Sequence, residues 1–395
     1  MNSGCDVIVI GAGIVGAACA RECARRGLQT VMVDEAGPGG GATAAGMGHI
    51  VVMDDSRAQL ALTGYSQRLW RELAAELPAE TEFEMCGTLW VASDEEEMDE
   101  VLRKQGVYAS AGVRAEVLSG SALAEAEPHL RRPLSGALLV PTDAVLYPPS
   151  AAAFLLRHAV RAGARFQSSR KVVSAAQGRV RLDDGTELRA PRIVNACGAE
   201  SVRLLPELPI RPRKGHLVIT DRYPGFVRHQ LVELGYLKSA HSVSADSVAF
   251  NVQPRQTGQL LIGSSREYGA ETTGVNYALL AKMIDRAQQY LPGIGSMQAI
   301  RVWTGFRAAT PDKLPLIGPW PGDDSLFLAT GHEGLGITTS LATAQLLVGT
   351  MLGEKTEIDA EPYRPDRFAH SGEAGSGAAQ AQAQVPAHSV EGSHV

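Results

Sequence analysis

The run Gly11-Ala12-Gly13-Ile14-Val15-Gly16 constrains this chain more than any other segment. It follows a short apolar run, Asp6 to Ile10, and opens a helical pattern from Ile14 to Arg26; a β-rich run, Thr30 to Val33, comes next. Strand, glycine turn, helix and strand within about 30 residues make a βαβ unit, the start of a parallel sheet. Gly11 permits the tight turn, Gly13 lets the backbone approach a pyrophosphate, and Gly16 lets helix and strand pack closely. The helix N-terminus then faces the phosphate charge. Asp34 ends the second strand, 18 residues after Gly16, where an acid holds ribose hydroxyls and favours a free 2′-hydroxyl. Glu35 is the alternative acid. A dinucleotide is implied, but NAD and FAD share this fingerprint.

A chain of 395 residues exceeds what one hydrophobic core usually supports, so two interlocked domains are expected. Net charge is -6, and Lys and Arg are scattered, which argues against nucleic acid as a partner. The five cysteines form no CxxC pair and no secreted-type framework, and read as reduced thiols. Cys19 and Cys23 lie four apart on the first helix and read as part of a packed apolar face. No signal peptide and no window of 18 apolar residues is present; a cytoplasmic protein is expected, with membrane association only through a partner.

Further along, the pattern is helical from Ser56 to Leu77, where Pro78 stops it, and Gly87 to Val91 is a strand candidate. The acidic run Asp94 to Glu100 reads as the solvated start of a helix, where carboxylates suit the positive end of the dipole, and no metal is expected. A helix is expected over Pro148 to Arg161, then short strands around Lys171 to Ser174 and Arg179 to Leu182, with Asp183-Asp184-Gly185 as their hairpin turn. Ile193 to Ala196 is a buried strand, Gly215 to Gly263 is rich in β signals, and Tyr277 to Tyr290 is helical. After Thr310-Pro311-Asp312, strand Leu326 to Ala329, glycine turn Gly331 to Gly336 and helix Ile337 to Met351 repeat the opening order. From Ser371 the composition collapses to Ala, Gly, Gln, Ser and His, which predicts a disordered tail, in part vector-derived.

Five motifs in order carry a family likeness: Gly11 to Gly16; Gly39-Gly40-Gly41-Ala42-Thr43-Ala44-Ala45-Gly46-Met47; Ile193 to Ser201; Trp303-Thr304-Gly305-Phe306-Arg307 with Thr310 to Gly318; and Gly331 to Ile337. Over about residues 5 to 368 the chain resembles the D-amino acid oxidase, glycine oxidase and sarcosine oxidase superfamily of flavoenzymes. The resemblance implies an α/β fold: a Rossmann-like FAD-binding domain of glutathione-reductase type, interleaved with a substrate domain of mixed antiparallel sheet plus helices. The implied FAD domain comprises 1–82, 141–208 and 307–369, the substrate domain 83–140 and 209–306, and the tail 370–395.

The same resemblance implies site residues. Gly11, Gly13, Gly16, Ile14, Val15, Asp34, Glu35 and Thr43 would hold the dinucleotide, with Gly198 beside it and the backbone of Val172 on the adenine. Ala45, Gly46 and Met47 would line the flavin. His332, Glu333, Gly334, Leu335, Gly336, Ile337 and Thr338 would run along its pyrimidine side, where a helix beginning near Ile337 points its positive end at N1 and C2=O. Some relatives tether FAD through a late Cys or a His before the Ala-Ala-Gly segment. Here no Cys follows Cys197 and Thr43 precedes Ala44, so FAD is expected to be non-covalent.

Arg307 matches the family arginine that pairs with a substrate carboxylate, a task its planar fork suits. The implied reaction is hydride transfer from the α-carbon of a small amino or cyclic imino acid to flavin N5. The electron acceptor would be oxygen, a quinone or a partner subunit, and the chain would act alone or within a homo- or hetero-oligomer. His49 and His332 are candidate polar neighbours of the flavin, for hydrogen bonding or proton transfer. Glycine oxidases carry an arginine within the match of Glu333-Gly334-Leu335 and a tyrosine near the match of Phe250, and this chain has neither. The segments Ala44 to His49 and Gly331 to Gly336 look closer to FAD-bearing subunits of bacterial dehydrogenases acting on D-hydroxyproline, which points to cis-4-hydroxy-D-proline. Alternatives are oxidation of glycine, sarcosine or D-amino acids, a non-catalytic FAD-bearing subunit of a heteromeric amino acid or opine dehydrogenase, and an NAD-dependent dehydrogenase.

Overall fold

The computed structural model describes residues 4–235 and 246–368, so the expected tail at 370–395 lies outside the described residues. Val7–Ile10, fully buried, pairs in parallel with Thr30–Val33 on one side and Arg192–Asn195 on the other. A strand covered on both faces has no solvent side, hence its unbroken apolar run. These strands are the middle of a six-stranded sheet ordered Leu316–Trp320, Asp323–Thr330, Arg192–Asn195, Val7–Ile10, Thr30–Val33, Arg165–Gln167, parallel except for the first pair. Helix Ile14–Arg25 packs against helices Pro148–Arg161 and Gly336–Met351. Cys19 and Cys23 are buried in that packing as free thiols.

An eight-stranded sheet forms the second layer, in the order Ala299–Ala309, Arg211–Arg222, Gln259–Arg266, Ser247–Pro254, Gln230–Glu233, Thr88–Ala92, Gly136–Val140, Glu116–Ser119. It is antiparallel apart from the pairing of Gln230–Glu233 with Thr88–Ala92. The strands come from two separate stretches of chain, and helix Tyr277–Tyr290 covers one face through contacts with Ser247–Pro254 and Gln259–Arg266.

Local chemistry explains the helix starts. The Ser56 side chain accepts from the Gln59 N–H at the head of Arg57–Leu73, and Asp94 accepts from the Glu97 N–H at the head of Glu95–Ser110. Glu95, Glu96 and Glu97 lie in that first turn, where the positive end of the helix dipole favours them. The acidic run is thus a helix start. One turn differs from expectation. Asp183-Asp184-Gly185 joins Arg179–Leu182 to Glu187–Arg189, whereas Val172–Ala176 meets Arg179–Leu182 through Gln177 and Gly178. Both turn residues have positive φ, 49° and 72°, as a two-residue hairpin requires; Gln177 is not a side chain that advertises this. No helix among the described residues is long and apolar enough to cross a membrane.

Candidate active site

One cavity of about 1640 Å³ runs between the two sheets. It is larger than the roughly 300–1,000 Å³ of a drug-sized pocket and suits a dinucleotide with a substrate beside it. The first glycine turn lines it. Gly16 sits where a Cβ would collide with the Gly11 carbonyl oxygen, so strand and helix come this close only because residue 16 has no side chain. The Ile14 N–H donates to Thr43 Oγ1 at 3.0 Å, tying the helix start to the Gly39–Met47 segment. Helix Ile14–Arg25 has no side-chain cap and no acid in its first turn, so its positive end stays available to an anion.

The two candidate ribose acids differ. Asp34 Oδ2 accepts from the Ala12 N–H at 2.6 Å and Oδ1 from Ala36 and Gly37 at 2.8 Å, so its carboxylate braces the glycine turn. Glu35 is more exposed and lies 3.8 Å from Lys171 Nζ. Both line the cavity, as do Gly13, Val15, Val172 and Gly198. Helix Gly336–Met351 also starts on this cavity, again with no side-chain cap and no first-turn acid. Thr338 Oγ1 donates to the His49 carbonyl at 2.8 Å, which locks that helix onto strand His49–Ile50. Ala45, Gly46 and Met47 lie on the wall between.

His49 and His332 both belong to this wall, and neither is a cation at neutral pH. Burial pulls His332 down to about 3, and its Nε2 meets Thr343 Oγ1 at 3.0 Å. Burial likewise lowers His49 to about 4, with Gln253 opposing. His49 Nε2 is buried with no hydrogen-bond partner among the described residues. Such an orphan is costly unless a bound group completes it.

Arg307 lies on strand Ala299–Ala309 of the eight-stranded sheet, which runs on past the expected domain boundary between 306 and 307. Its Nη1 donates to the Ser265 carbonyl at 2.9 Å, and the guanidinium lies flat over Gly215, where a Cβ would come within 2.5 Å of Nη1 and 2.8 Å of Cζ. Gly215 therefore sets the plane of the fork. Ser265 is held in turn: its Oγ accepts from the His216 N–H at 2.9 Å and meets His216 Nδ1 at 2.9 Å. His216 Nε2 accepts from the Asn276 N–H at 3.0 Å, so the neutral ring carries its proton on Nδ1 and donates it to Ser265.

Sequence reasoning missed Arg213, Ser265, Gly215 and Asn251. Arg213 stands directly opposite Arg307 across the antiparallel strands and pairs with Glu333. Glu333, expected along the flavin, thus has its carboxylate on an arginine. Phe250 is fully buried and stacks on Tyr290 at 4.4 Å, away from the cavity; its neighbour Asn251 lines the cavity, with Oδ1 buried and unpartnered among the described residues. Alternation along a strand would have flagged position 251 as facing opposite to Phe250. Among the described residues no group of three or more His, Cys, Asp or Glu is placed to hold a metal.

The chain matches the family described as FAD dependent oxidoreductase (DAO) over residues 6–349. It belongs to that family. Glycine oxidase of Pseudomonas aeruginosa (strain PAO1) is 29% identical over 388 residues, 91% of this chain and 98% of that protein. The crystal structure of glycine oxidase from Geobacillus kaustophilus superposes with a TM-score of 0.82 at 26% identity, covering 92% of this chain and 98% of that one. L-Proline dehydrogenase from P. horikoshii shares the fold, with a TM-score of 0.83 at 22% identity over 94% and 99% of the two chains. FAD is the cofactor of this DAO-family oxidoreductase. The residues present fit it: two uncapped helix N-termini open on one cavity, and the orphaned Nε2 of His49 lies in the wall between them.

Proposed function

We propose that this protein oxidises a small amino acid or cyclic imino acid, with cis-4-hydroxy-D-proline as the preferred substrate. The observation that carries the reading is Arg307, fixed flat over Gly215 by the Ser265 carbonyl in the wall of the same cavity as the glycine turn. Such a fork grips a carboxylate in two parallel bonds and so decides which C–H faces the cofactor. Bound FAD would supply the hydride acceptor, its N5, for the substrate α-carbon. The residues assigned to it are Gly11, Gly13, Ile14, Val15, Gly16, Asp34, Glu35, Thr43, Val172 and Gly198 on the nucleotide half. Ala45 to Met47 and His332 to Thr338 are assigned to the ring.

With His49 and His332 neutral, neither histidine of the wall is an imidazolium acid at pH 7. Desolvation beside Arg307 favours the neutral form of the substrate amine, and a substrate that enters as the neutral amine needs no protein base. Loss of hydride from carbon and a proton from nitrogen leaves the cyclic imine, pyrroline-4-hydroxy-2-carboxylate. The unpartnered Asn251 Oδ1 supports a polar substrate, since it accepts from a ring N–H or a 4-hydroxyl.

Anaerobic mixing with cis-4-hydroxy-D-proline is expected to bleach the flavin band faster than glycine, sarcosine or D-alanine does. No bleaching by the hydroxyproline overturns the substrate assignment. Electrons then pass to oxygen, a quinone or a partner subunit, which air and an artificial dye distinguish. FAD is held without a covalent bond; acid precipitation is expected to leave all flavin in the supernatant, and a yellow pellet refutes this.

A further inference from the structure

The wall that carries Arg307 holds a second arginine. Arg213 and Arg307 are direct partners across the antiparallel strands Arg211–Arg222 and Ala299–Ala309, and both line the cavity. Direct partners share a sheet face, and like charges so placed repel. Glu333 resolves the conflict. It sits in the Gly331 to Gly336 turn with a positive φ of 54°, held by its N–H to the Ala308 carbonyl at 2.9 Å, and forms an ion pair with Arg213. The two side chains are only 11% and 17% exposed, so solvent screens the pair weakly. Arg213 is also fixed from its other side, Nη1 donating to Tyr268 Oη at 3.2 Å.

We propose that Glu333 is a specificity residue. By neutralising Arg213 it removes one positive charge from this wall, on which Arg307 and Arg266 also lie. The site accordingly takes amino or imino acids with a single carboxylate and rejects dicarboxylic ones, because a second carboxylate would meet Glu333 where Arg213 alone would welcome it. Positive charge for a dicarboxylate is already built in; one acidic side chain masks it. This rests on the reading that Arg307 takes the substrate carboxylate, and deepens it.

The test uses two secondary amines that differ by one carboxylate, sarcosine and iminodiacetate. Each is titrated anaerobically into the purified holoprotein, recording both the perturbation of the flavin spectrum, which gives a Kd, and bleaching. Wild type is expected to bind sarcosine more tightly. Glu333→Gln, which keeps the shape and removes the charge, is expected to shift the Kd ratio at least tenfold toward iminodiacetate. Glu333→Gln with Arg213→Met is expected to lose that shift. An unchanged ratio in Glu333→Gln, or a shift that persists without Arg213, overturns the proposal. So does wild type that binds iminodiacetate as tightly as sarcosine, a result that needs no variant to fold, or no spectral response to either ligand. A ratio that shifts in binding while cis-4-hydroxy-D-proline bleaches none of the proteins leaves the charge arrangement standing and removes the proposed oxidation instead.

Discussion

Arg307→Ala is expected to lower kcat/KM for the preferred substrate on the order of 10²- to 10³-fold while the purified protein stays yellow. Truncating one partner of a buried charge pair costs about 2–5 kcal/mol, roughly 30- to 5,000-fold, and the expected loss lies within those bounds. Much of the loss should appear in kcat as well as KM, because the fork orients the reacting carbon as well as binding the carboxylate. FAD should remain bound, since none of the backbone groups that face the nucleotide half depends on the Arg307 side chain. Arg307→Lys separates charge from geometry. A lysine keeps the charge and loses the planar fork over Gly215, so KM should recover further than kcat. Stopped-flow reduction under nitrogen reads both parameters. Unchanged kinetics in Arg307→Ala would remove this residue from the substrate site, and with it the claim that the cavity reads carboxylates.

What the sequence discloses about this site divides along the range of the interactions. Thr30–Val33 and helix Pro148–Arg161 begin and end where apolar period and proline place them, because those signals act within a turn or two. The glycine turn is equally local. Arg307 is legible by its motif, but its partner Arg213 lies far away in the chain and meets it only through strand register. No local rule carries a register between separate strands. Asp34 shows the same limit in another form. Its position after the second strand marks an acid beside the nucleotide; the N–H groups of Ala36 and Gly37 that its carboxylate accepts are local, yet that of Ala12 becomes visible only when turn and strand are side by side. The Gln177-Gly178 hairpin was hidden because a glutamine at positive φ obeys its strands and not its own preference. Glu333 is the sharpest case: it lies in the turn expected along the flavin, and its carboxylate pairs with an arginine that the motif does not contain.

Gly16→Ala is expected to yield protein that is poorly folded or free of flavin, and its contrast with Gly64→Ala makes the cause testable. At position 16 a methyl group would meet the Gly11 carbonyl oxygen, a backbone atom that cannot rotate away, and would press on the Ala196 side chain at 3.3 Å. The helix must then lift off the strand, which moves the Ile14 N–H from Thr43 and spreads the turn that faces the phosphates. Overpacking of this kind costs about 3 kcal/mol or more when the neighbour is backbone. Gly64 lies inside helix Arg57–Leu73 with nothing within 4 Å of a Cβ. There alanine removes the entropy penalty of a helical glycine and should stabilise by roughly 0.5–1 kcal/mol. The same chemical change thus has opposite signs at two helical glycines, and only packing distinguishes them. Thermal melting and the ratio of flavin to protein absorbance read both outcomes. Full flavin content and an unchanged melting temperature in Gly16→Ala would mean that the nucleotide turn tolerates a side chain. The close approach of helix and strand would then not be what shapes the dinucleotide site.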